Sequence, residues 1–387
     1  MSRNGRSGNG RTSGNGDGSG PAVSGAGDGS AAARPTLTLD GEEVSFTPGE
    51  TLFELSERHA RDVPTLCYDD RLEPFGGCRL CIVELEGARN PVASCTTRAE
   101  PGMKVKTKGG RLEMHRRVLL EMVASENRDI DVDPLSGYAS QEMAALVDRY
   151  EARTGRFQGR KSGTSKSGDA NPFILRDYEN CISCYRCVRV CAEQEGDYAI
   201  SVMNRGFDTQ ITTEFDGLLK DSACTFCGQC IQVCPTGALG DLKALRHKDV
   251  PGETETTRTI CTYCGVGCSV DVMTRGDKVV GVLPAMDGPA NEGALCIKGQ
   301  FSYDFIQHRD RLKSPLVRGD DGALHPATWD EALDRAAEGF NRVIREHGRH
   351  SFYAIASGRA PNEAAYVMQK LVRAGLGTSY IDNCSRA

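Results

Sequence analysis

Two short stretches, Cys261-Thr-Tyr-Cys264-Gly-Val-Gly-Cys268 and Cys296-Ile-Lys298-Gly, decide how this chain is interpreted. Three cysteines stand within eight residues, and a fourth follows after 27 intervening residues. Four thiolates from two separated segments can hold one [4Fe–4S] cluster. The two glycines before Cys268 let the backbone turn tightly and leave its amides free to donate to the sulfurs. A structural zinc site, which also uses four cysteines, is the alternative.

The cysteine content extends this interpretation to the whole chain. Sixteen of the 17 cysteines fall into four sets of four, and Cys384 stands apart. A disulfide framework needs an oxidising compartment, and the sequence shows no export signal. Metal ligation is therefore the favoured explanation. Besides the set quoted above, the sets are Cys67, Cys78, Cys81 and Cys95; Cys181, Cys184, Cys187 and Cys191; and Cys224, Cys227, Cys230 and Cys234.

The two middle sets share one spacing, C-x2-C-x2-C-x3-C, which is typical of a bacterial ferredoxin with two [4Fe–4S] clusters. In that fold the last cysteine of each run binds the other cluster. Zinc sites instead normally pair two CxxC motifs. We therefore assign one cluster to Cys181, Cys184, Cys187 and Cys234, and the other to Cys224, Cys227, Cys230 and Cys191.

The first set follows a pattern that predicts a β-grasp ferredoxin domain. Residues 36–46 alternate apolar and polar around Asp40-Gly41, which predicts a hairpin. Residues 51–58 then predict a short helix, with inner residues Leu52, Phe53 and Leu55. The cysteine spacing, C-x10-C-x2-C-x13-C, differs from the C-x4-C-x2-C of plant-type ferredoxins. Zinc is again the alternative.

Apolar periodicity predicts several further elements. A helix is expected from Arg111 to about Ser125, and its inner face is Leu112, Met114, Val118, Leu119 and Met122. Residues 269–273 and 278–283 predict a second hairpin. Thr328-Trp-Asp-Glu331 is a capping box. The helix that it begins has an apolar face of Leu333, Ala336, Ala337, Phe340, Val343 and Ile344.

The last part of the chain predicts a βαβ unit. A strand at 351–358, a helix from 362 to about 374 and a strand entering at Tyr380 are the opening of a parallel sheet. Parallel sheets are stable only when both faces are covered, and one βαβ unit cannot cover them. We therefore expect these residues to be the first part of a larger domain.

Composition excludes some classes of partner. The net charge is −6 and aromatic residues are 6% of the chain, which argues against nucleic acid. No apolar run approaches the roughly 18 residues of a membrane span. We expect a cytoplasmic protein without a membrane span. Residues 1–34 are rich in Gly and Ser and predict a disordered tail.

The spacing of the Cys261 set, followed by Ile297-Lys298-Gly, resembles the N-terminal cluster domain of molybdopterin oxidoreductases, above all formate dehydrogenases. The segment Ala356–Lys370 resembles the first βα turn of the formate dehydrogenase pterin domain. The resemblance implies a bis-(molybdopterin guanine dinucleotide) cofactor with Mo or W. It implies that Lys298 relays electrons between pterin and cluster. The implied cofactor contacts are Lys298, Arg359, Asn362 and Glu363.

The Cys67 set resembles the [2Fe–2S] domain of the large iron–sulfur subunit of NADH:quinone oxidoreductase. NAD-linked formate dehydrogenases and some iron-only hydrogenases share that domain. The implied cofactors are thus one [2Fe–2S] cluster and three [4Fe–4S] clusters. A further [4Fe–4S] cluster of the family, held by one histidine and three cysteines, is not expected because residues 124–134 contain no cysteine.

The predicted architecture is an α+β multidomain iron–sulfur protein. Its parts are a tail (1–34), a [2Fe–2S] β-grasp domain (35–108), a helical connector with a basic linker (109–171), a domain with two [4Fe–4S] clusters (172–250), a small [4Fe–4S] domain (255–315), and the truncated start of an α/β molybdopterin-binding domain (316–387).

In the family, the segment matching Ile381–Ala387 precedes a metal-ligating cysteine or selenocysteine and a catalytic histidine. Our hypothesis is that Ala387 precedes a selenocysteine codon read as a stop. Cys384 is interpreted as an ordinary cysteine at a strand end. The metal ligand and the histidine would then lie outside the chain, so we expect no formate oxidation from these residues alone.

The sequence therefore predicts the electron-relay part of an NAD-linked formate dehydrogenase α subunit. Electrons from formate would pass through the clusters to a separate NAD-binding flavoprotein of the diaphorase type, or to ferredoxin, because no GxGxxG follows a strand here. One alternative is a non-catalytic electron-transfer subunit like that of complex I. Another is a different pterin enzyme, such as nitrate reductase.

Overall fold

The computed structural model describes residues 34–127, 142–159 and 171–384. These residues form two compact units. One unit takes the residues up to Val123 together with Leu146–Phe157, and the other takes the remainder. The tail predicted at 1–34 lies outside the described residues except for Arg34, as does the 160–170 part of the linker. Among the described helices, none combines the length and apolar character of a membrane span.

A five-stranded sheet with the order β2-β1-β5-β3-β4 forms the centre of the first unit. Its strands are β1 (Thr36–Leu39), β2 (Glu42–Ser45), β3 (Ile82–Leu85), β4 (Val92–Ala93) and β5 (Lys104–Lys106). The predicted hairpin is confirmed, since β1 and β2 pair antiparallel around Asp40 and Gly41, both at positive φ. β1 also pairs in parallel with β5, which brings the two ends of the domain together.

Helix α1 (Leu52–Arg58) begins at a capping box between Thr51 and Glu54. Its predicted inner residues are buried, so this prediction is confirmed. They pack into an apolar core that includes two of the cysteines. The buried core residues are Leu37, Leu39, Val44, Phe46, Leu52, Phe53, Leu55, Val63, Cys81, Val83, Ala93, Cys95, Ala99 and Val105.

Helix α2 (Gly110–Ala124) is present as predicted, but its predicted inner face is wrong in part. Met114 and Met122 are 55% and 52% exposed. The buried face instead includes Arg116, whose guanidinium donates to the carbonyl oxygen of Ile82 at 2.7 Å. It also includes Glu121, which pairs with arginines beyond the helix. Apolar periodicity misses these two polar residues because their partners are distant in sequence.

The second unit begins with the residues that surround the two middle cysteine sets. Its helices here are short and its sheets have two strands each, β6 with β9 and β7 with β8. The elements are α3 (Glu142–Arg149, which ends in the first unit), β6 (Ile174–Arg176), α4 (Arg186–Val190), β7 (Ser201–Met203), β8 (Gln210–Thr212), α5 (Gln229–Gln232), β9 (Leu239–Asp241) and α6 (Leu242–Leu245).

A three-stranded antiparallel sheet carries the Cys261 set. Its strands are β10 (Glu255–Ile260), β11 (Ser269–Arg275) and β12 (Lys278–Pro284). The hairpin of β11 and β12 is confirmed, whereas β10 was not predicted. β10 ends just before Cys261 and β11 begins just after Cys268, so the sheet fixes both ends of the cysteine loop. Helix α7 (Ile297–Phe301) follows Cys296.

The C-terminal elements are β13 (Leu316–Arg318), β14 (Leu324–Pro326), α8 (Trp329–His347), β15 (Ala354–Ala356), α9 (Asn362–Lys370) and β16 (Ile381–Asn383). The predicted βαβ unit is confirmed, because β15 and β16 pair in parallel. The capping box of Thr328 and Glu331 is also confirmed. On the predicted apolar face of α8, Leu333 is 60% and Phe340 is 39% exposed. The capping box therefore marks where α8 begins, while these two apolar side chains are exposed in the described residues.

Candidate metal centres

The four thiols of the first set lie in two contacting pairs. The Cys78 N–H donates to Cys67 Sγ at 3.4 Å, and the Cys81 and Cys95 sulfurs are 3.3 Å apart. A hydrogen bond from the Cys67 thiol lowers the pKa of Cys78 to about 6. The hydrogen bond with Cys81, burial and the charges of the other three sulfurs raise the pKa of Cys95. All four thiols therefore lie within electrostatic reach of one another.

The loop before Cys78 is shaped to approach these sulfurs. Gly76 has a φ of +70°, and a Cβ there would lie 3.0 Å from the Thr96 methyl group. The backbone N–H of Leu66 donates to Cys78 Sγ at 3.4 Å. Amide hydrogen bonds of this kind tune the electronic properties of metal-bound thiolates.

The four cysteines of the first quartet proposed for the ferredoxin-like region line a single small cavity. The cavity has three cysteines from the first run and one from the second, as the crossed assignment requires. Burial raises the pKa of Cys184, and the charge of Cys234 raises it further. The cysteines around the cavity are Cys181, Cys184, Cys187 and Cys234, and Tyr178, Ile182, Tyr185, Ile211, Pro235, Thr236, Ala238 and Leu239 complete the lining.

The thiols of the second quartet also shift one another's pKa values through their charges. Burial raises the pKa of Cys230, the charges of Cys227, Cys224 and Cys191 add to the effect, and Cys234 of the other quartet has the smallest influence. Burial raises the pKa of Cys224 to about 11 and that of Cys227 to about 12. The Ala199 N–H donates to Cys191 Sγ at 3.3 Å, which holds this crossing cysteine in place.

The two runs repeat the same backbone turn. Ser183 and Phe226 both have φ near +55°, and the N–H of each donates to the sulfur of the first cysteine in its run at 3.4 Å. The residue after the second cysteine is also left-handed in both runs, Tyr185 at +61° and Gly228 at +80°. The sequence repeat is therefore a structural repeat.

The Cys261 set closes around the end of its sheet. The N–H of Cys261 donates to the carbonyl oxygen of Cys268 at 2.8 Å. Burial raises the pKa of Cys261, and the charges of Cys296 and Cys264 raise it further. Cys296 is exposed and is the residue that precedes the first turn of α7. The structure thus brings together the four cysteines predicted for this cluster.

The predicted pterin contacts lie in two places. Lys298 is half-buried in α7, two residues after Cys296. Asn362 donates from Nδ2 to the carbonyl oxygen of Gly265, inside the cysteine loop, at 2.8 Å. Arg359 and Glu363 are exposed at the turn between β15 and α9. Only Asn362 among the three residues of this turn is tied directly to the cysteine loop by a described hydrogen bond.

Cys384 lies at the end of β16. Its sulfur accepts a hydrogen bond from the Gly358 N–H at 3.3 Å, so it is next to the same βα turn. Its own N–H donates to the carbonyl oxygen of Ala356, extending the parallel ladder by one bond.

The donor chemistry fits iron–sulfur clusters. Thiols whose pKa values are raised by burial stay protonated near neutral pH, and metal binding releases those protons. Four thiolates are the donor set that an iron–sulfur cluster takes, and such clusters support one-electron transfer.

Two contacts near these quartets were not predicted from the sequence. Arg186, 3% exposed, lies in sequence between two cysteines that are predicted ligands, and it pairs with Glu142 at 2.7 Å. Asp197 accepts hydrogen bonds from the N–H and hydroxyl of Thr225 at 3.1 and 2.7 Å. The charged Arg186 within a cysteine run is a signal in the sequence, but its partner is 44 residues away.

Comparison with known families agrees with this geometry. Residues 33–110 match the 2Fe-2S iron-sulfur cluster binding domain, and residues 171–240 match the ferredoxin-like domain of NADH-quinone oxidoreductase subunit 3. Residues 254–308 match the molybdopterin oxidoreductase Fe4S4 domain, and residues 311–387 match molybdopterin oxidoreductase itself. From residue 254 to residue 387 the chain is thus similar to molybdopterin oxidoreductases in two successive domains.

Curated relatives carry several different names. The chain is 36% identical over 351 residues to an NADH-quinone oxidoreductase subunit of Rhizobium meliloti, covering 90% of this chain and 40% of the relative. It is 32% identical to a putative formate dehydrogenase of Staphylococcus haemolyticus, covering 90% and 39%. It is 32% identical to the NADPH-Fe(3+) oxidoreductase subunit alpha of Geobacter sulfurreducens, covering 91% and 40%. The chain thus spans about 40% of the length of these relatives.

Proposed function

We propose that this chain is the electron-relay part of a formate dehydrogenase α subunit of the NAD-linked type. The observation that carries the proposal is the presence of four thiol quartets before a segment that matches molybdopterin oxidoreductases. Similarity to a protein named as a putative formate dehydrogenase supports formate as the substrate. The resemblance of Ala356–Lys370 to the formate dehydrogenase pterin turn supports it as well.

The chain's own residues would hold and tune the redox groups. The sixteen quartet cysteines would bind one [2Fe–2S] and three [4Fe–4S] clusters, and Lys298, Arg359, Asn362 and Glu363 would bind the pterin cofactor. When bound, the pterin metal, Mo or W, supplies two-electron oxidation of formate to CO2. Lys298 would lie between that cofactor and the Cys261 quartet. Buried sulfurs and amide hydrogen bonds then set the potential at which each quartet accepts an electron.

The proposed partner is an NAD-binding flavoprotein of the diaphorase type, with ferredoxin as the other candidate acceptor. Similarity to a relative named as an NADH-quinone oxidoreductase component supports such a partner. Cytoplasmic location is proposed with it, because the many thiols need a reducing compartment.

A second candidate function is a non-catalytic electron-transfer subunit. The similarity over 90% of the chain to the Rhizobium meliloti NADH-quinone oxidoreductase component favours it. The two proposals differ in the pterin: the first requires it in the complete protein and the second does not.

The decisive experiment is anaerobic purification of the complete enzyme that contains this chain. Iron, sulfide, molybdenum and tungsten are measured, and EPR spectra are recorded after addition of formate or NADH. We expect iron and sulfide for all four clusters, bound pterin, and cluster signals that appear with formate.

Normal iron with no pterin and no response to formate would support the electron-transfer subunit instead. Zinc in place of iron would contradict both proposals. The protein could also contain pterin and be reduced by another substrate but not by formate. In that case the electron-relay proposal would hold and formate would be the wrong substrate.

A further inference from the structure

We infer that Gly228, Phe173 and Phe301 form the junction through which one electron passes between the Cys261 quartet and the Cys224 quartet. This inference rests on the proposed relay function and adds the order of two of its steps. One electron leaves the cluster of the Cys261 quartet and arrives at the cluster of the Cys224 quartet, and no bond forms or breaks. The Cys224 quartet is then the neighbour of the Cys261 quartet, and the Cys181 quartet comes later.

The closest approach is at Gly228, in the turn of the second cysteine run. A Cβ at this position would lie 3.0 Å from Gln300 Cγ and 3.2 Å from Phe301 Cζ. Contacts this short require the neighbour to move, and φ at Gly228 is +80°, where side chains are strained. Only glycine lets helix α7 pack directly on the backbone next to Cys227.

Three aromatic rings form a continuous path beside this contact. Phe173 stacks on Phe301 with ring centroids 4.9 Å apart and an interplanar angle of 28°. Phe173 also meets the ring of Phe226 edge to face at 5.6 Å. Such offset and edge-to-face arrangements are favourable packing geometries. Phe301 is fully buried, so water does not separate its ring from its neighbours.

Each end of the path is bound to a quartet. The N–H of Phe226 donates to Cys224 Sγ at 3.4 Å. At the other end, Phe301 is the last residue of α7, and the carbonyl oxygen of Cys296 accepts a hydrogen bond from the N–H of Gln300 in that helix at 3.0 Å. The path therefore runs from a ligand of one quartet to a ligand of the other through packed atoms.

A buried lysine holds the junction closed. Lys243, whose side chain is 8% exposed, pairs with Asp304 at 2.6 Å and donates to the carbonyl oxygen of Phe301. Its ammonium also lies 4.4 Å from the centre of the Tyr303 ring. These contacts join α6, at the end of the ferredoxin-like region, to the residues around α7. Such a fixed distance is what electron tunnelling needs, because its rate falls steeply with separation.

The other cysteine run supports the choice of quartet. It has Tyr185 where the second run has Gly228, in the same left-handed turn. The Tyr185 side chain lines the cavity of the Cys181 quartet. The first run therefore carries a side chain at the position where the second run leaves room for α7.

The test uses the complete chain with its clusters, photoreduced by a laser flash with deazaflavin as the electron donor. Electron redistribution among the clusters is followed by absorbance and by EPR of freeze-quenched samples. We expect Phe301→Leu, which keeps an apolar side chain, to slow exchange between the Cys261 and Cys224 clusters several-fold without loss of iron. We expect Gly228→Ala to weaken the magnetic coupling between these two clusters, because the added methyl group separates them.

Phe53→Leu is the matched control, because Phe53 is also buried but belongs to the first unit. It should leave exchange and coupling unchanged. If Phe301→Leu and Gly228→Ala both keep their clusters and match the unaltered chain in exchange and coupling, the inference is wrong and the relay proposal survives. If the unaltered chain shows no iron–sulfur signals, the relay proposal itself fails. Should Gly228→Ala not fold, the exchange rate of Phe301→Leu decides.

Discussion

The five-stranded domain of the first unit and the ferredoxin-like region at 171–245 bind clusters by different structural means. The first has a sheet of five strands, a capped helix and fourteen buried core residues, of which only two are cysteines. The second has paired strands of three residues and helices of four or five residues, arranged around eight cysteines. One region is folded by its apolar core, and the other depends on what its thiols bind.

The difference shows why cysteine spacing and apolar pattern carry different information. In small metal domains the free energy of metal binding is largely the free energy of folding. Such a region needs few apolar residues but a fixed spacing of ligands. A domain with its own core needs the apolar pattern and can lose its cluster without losing its sheet. Removing the clusters, truncating core side chains and removing helix caps should therefore affect the two kinds of region differently.

The largest expected effect comes from removing the clusters with an iron chelator under anaerobic conditions. We expect amides of residues 171–245 to lose protection from hydrogen exchange almost completely, because short elements without ligands are marginal. Amides of β1 and β5 should stay protected. Mass spectrometry of exchanged peptides measures both regions in one sample. Equal loss of protection in the two regions would contradict the comparison.

Leu39→Ala should destabilise the first unit by about 2–5 kcal/mol, because it removes a fully buried side chain from the core. Leu333→Ala, on the exposed face of α8, should change stability by less than about 0.5 kcal/mol. Hydrogen exchange of the β1–β2 and α8 peptides reports the local opening free energies. A large effect at Leu333 would show that its apolar face is covered in solution.

The two capping boxes offer a matched pair. Thr51→Ala and Thr328→Ala should each cost about 1 kcal/mol, because each removes the acceptor of an N3 amide. In α1 the cost should appear throughout the first unit, since Leu52 and Phe53 belong to its core. In α8 it should stay within the first turns. Peptide-resolved exchange distinguishes the two, and replacement by Ser should restore protection in both.

The smallest effect is a pH dependence of the β13–β14 hairpin. A hydrogen bond with His325 lowers the pKa of Asp321 below its usual value. Because the folded-state pKa is depressed, the pair stabilises the hairpin above the usual aspartate pKa, and this is lost as pH falls through the depressed value. Hairpin amide exchange should therefore quicken in acid. In Asp321→Asn this component should vanish, and an unchanged acid response would exclude the pair as its cause.

Features encoded by neighbouring residues were predictable from the sequence. The hairpin at Asp40-Gly41, the capping boxes and the βαβ unit depend on signals within a few residues of one another. The cysteine quartets were also readable, because ligand spacing is a property of the chain itself. Their ligand assignments remain predictions, which the grouping of the thiols in the structure supports.

Features made by distant residues were not predictable. Strand β10 has no strong apolar pattern, and all six of its residues are exposed, so only its pairing with β11 defines it. Arg116 on the inner face of α2 depends on a carbonyl group 34 residues earlier. The stacking of Phe173 on Phe301 spans two regions that are separate in sequence. A single sequence shows both residues of such a contact, but it does not show that folding brings them together.

The hydrogen bond from Asn362 to Gly265 has a consequence for the order of folding. It joins residues 97 positions apart, across the whole C-terminal part of the described chain. Closing so long a loop costs little more entropy than closing a shorter one, but the contact can form only after both ends are in place. During synthesis the Cys261 loop emerges well before Asn362, so cluster insertion there can precede docking of α9. The hydrogen bond from Asn362 to Gly265 can then form after the Cys261 loop has received its cluster.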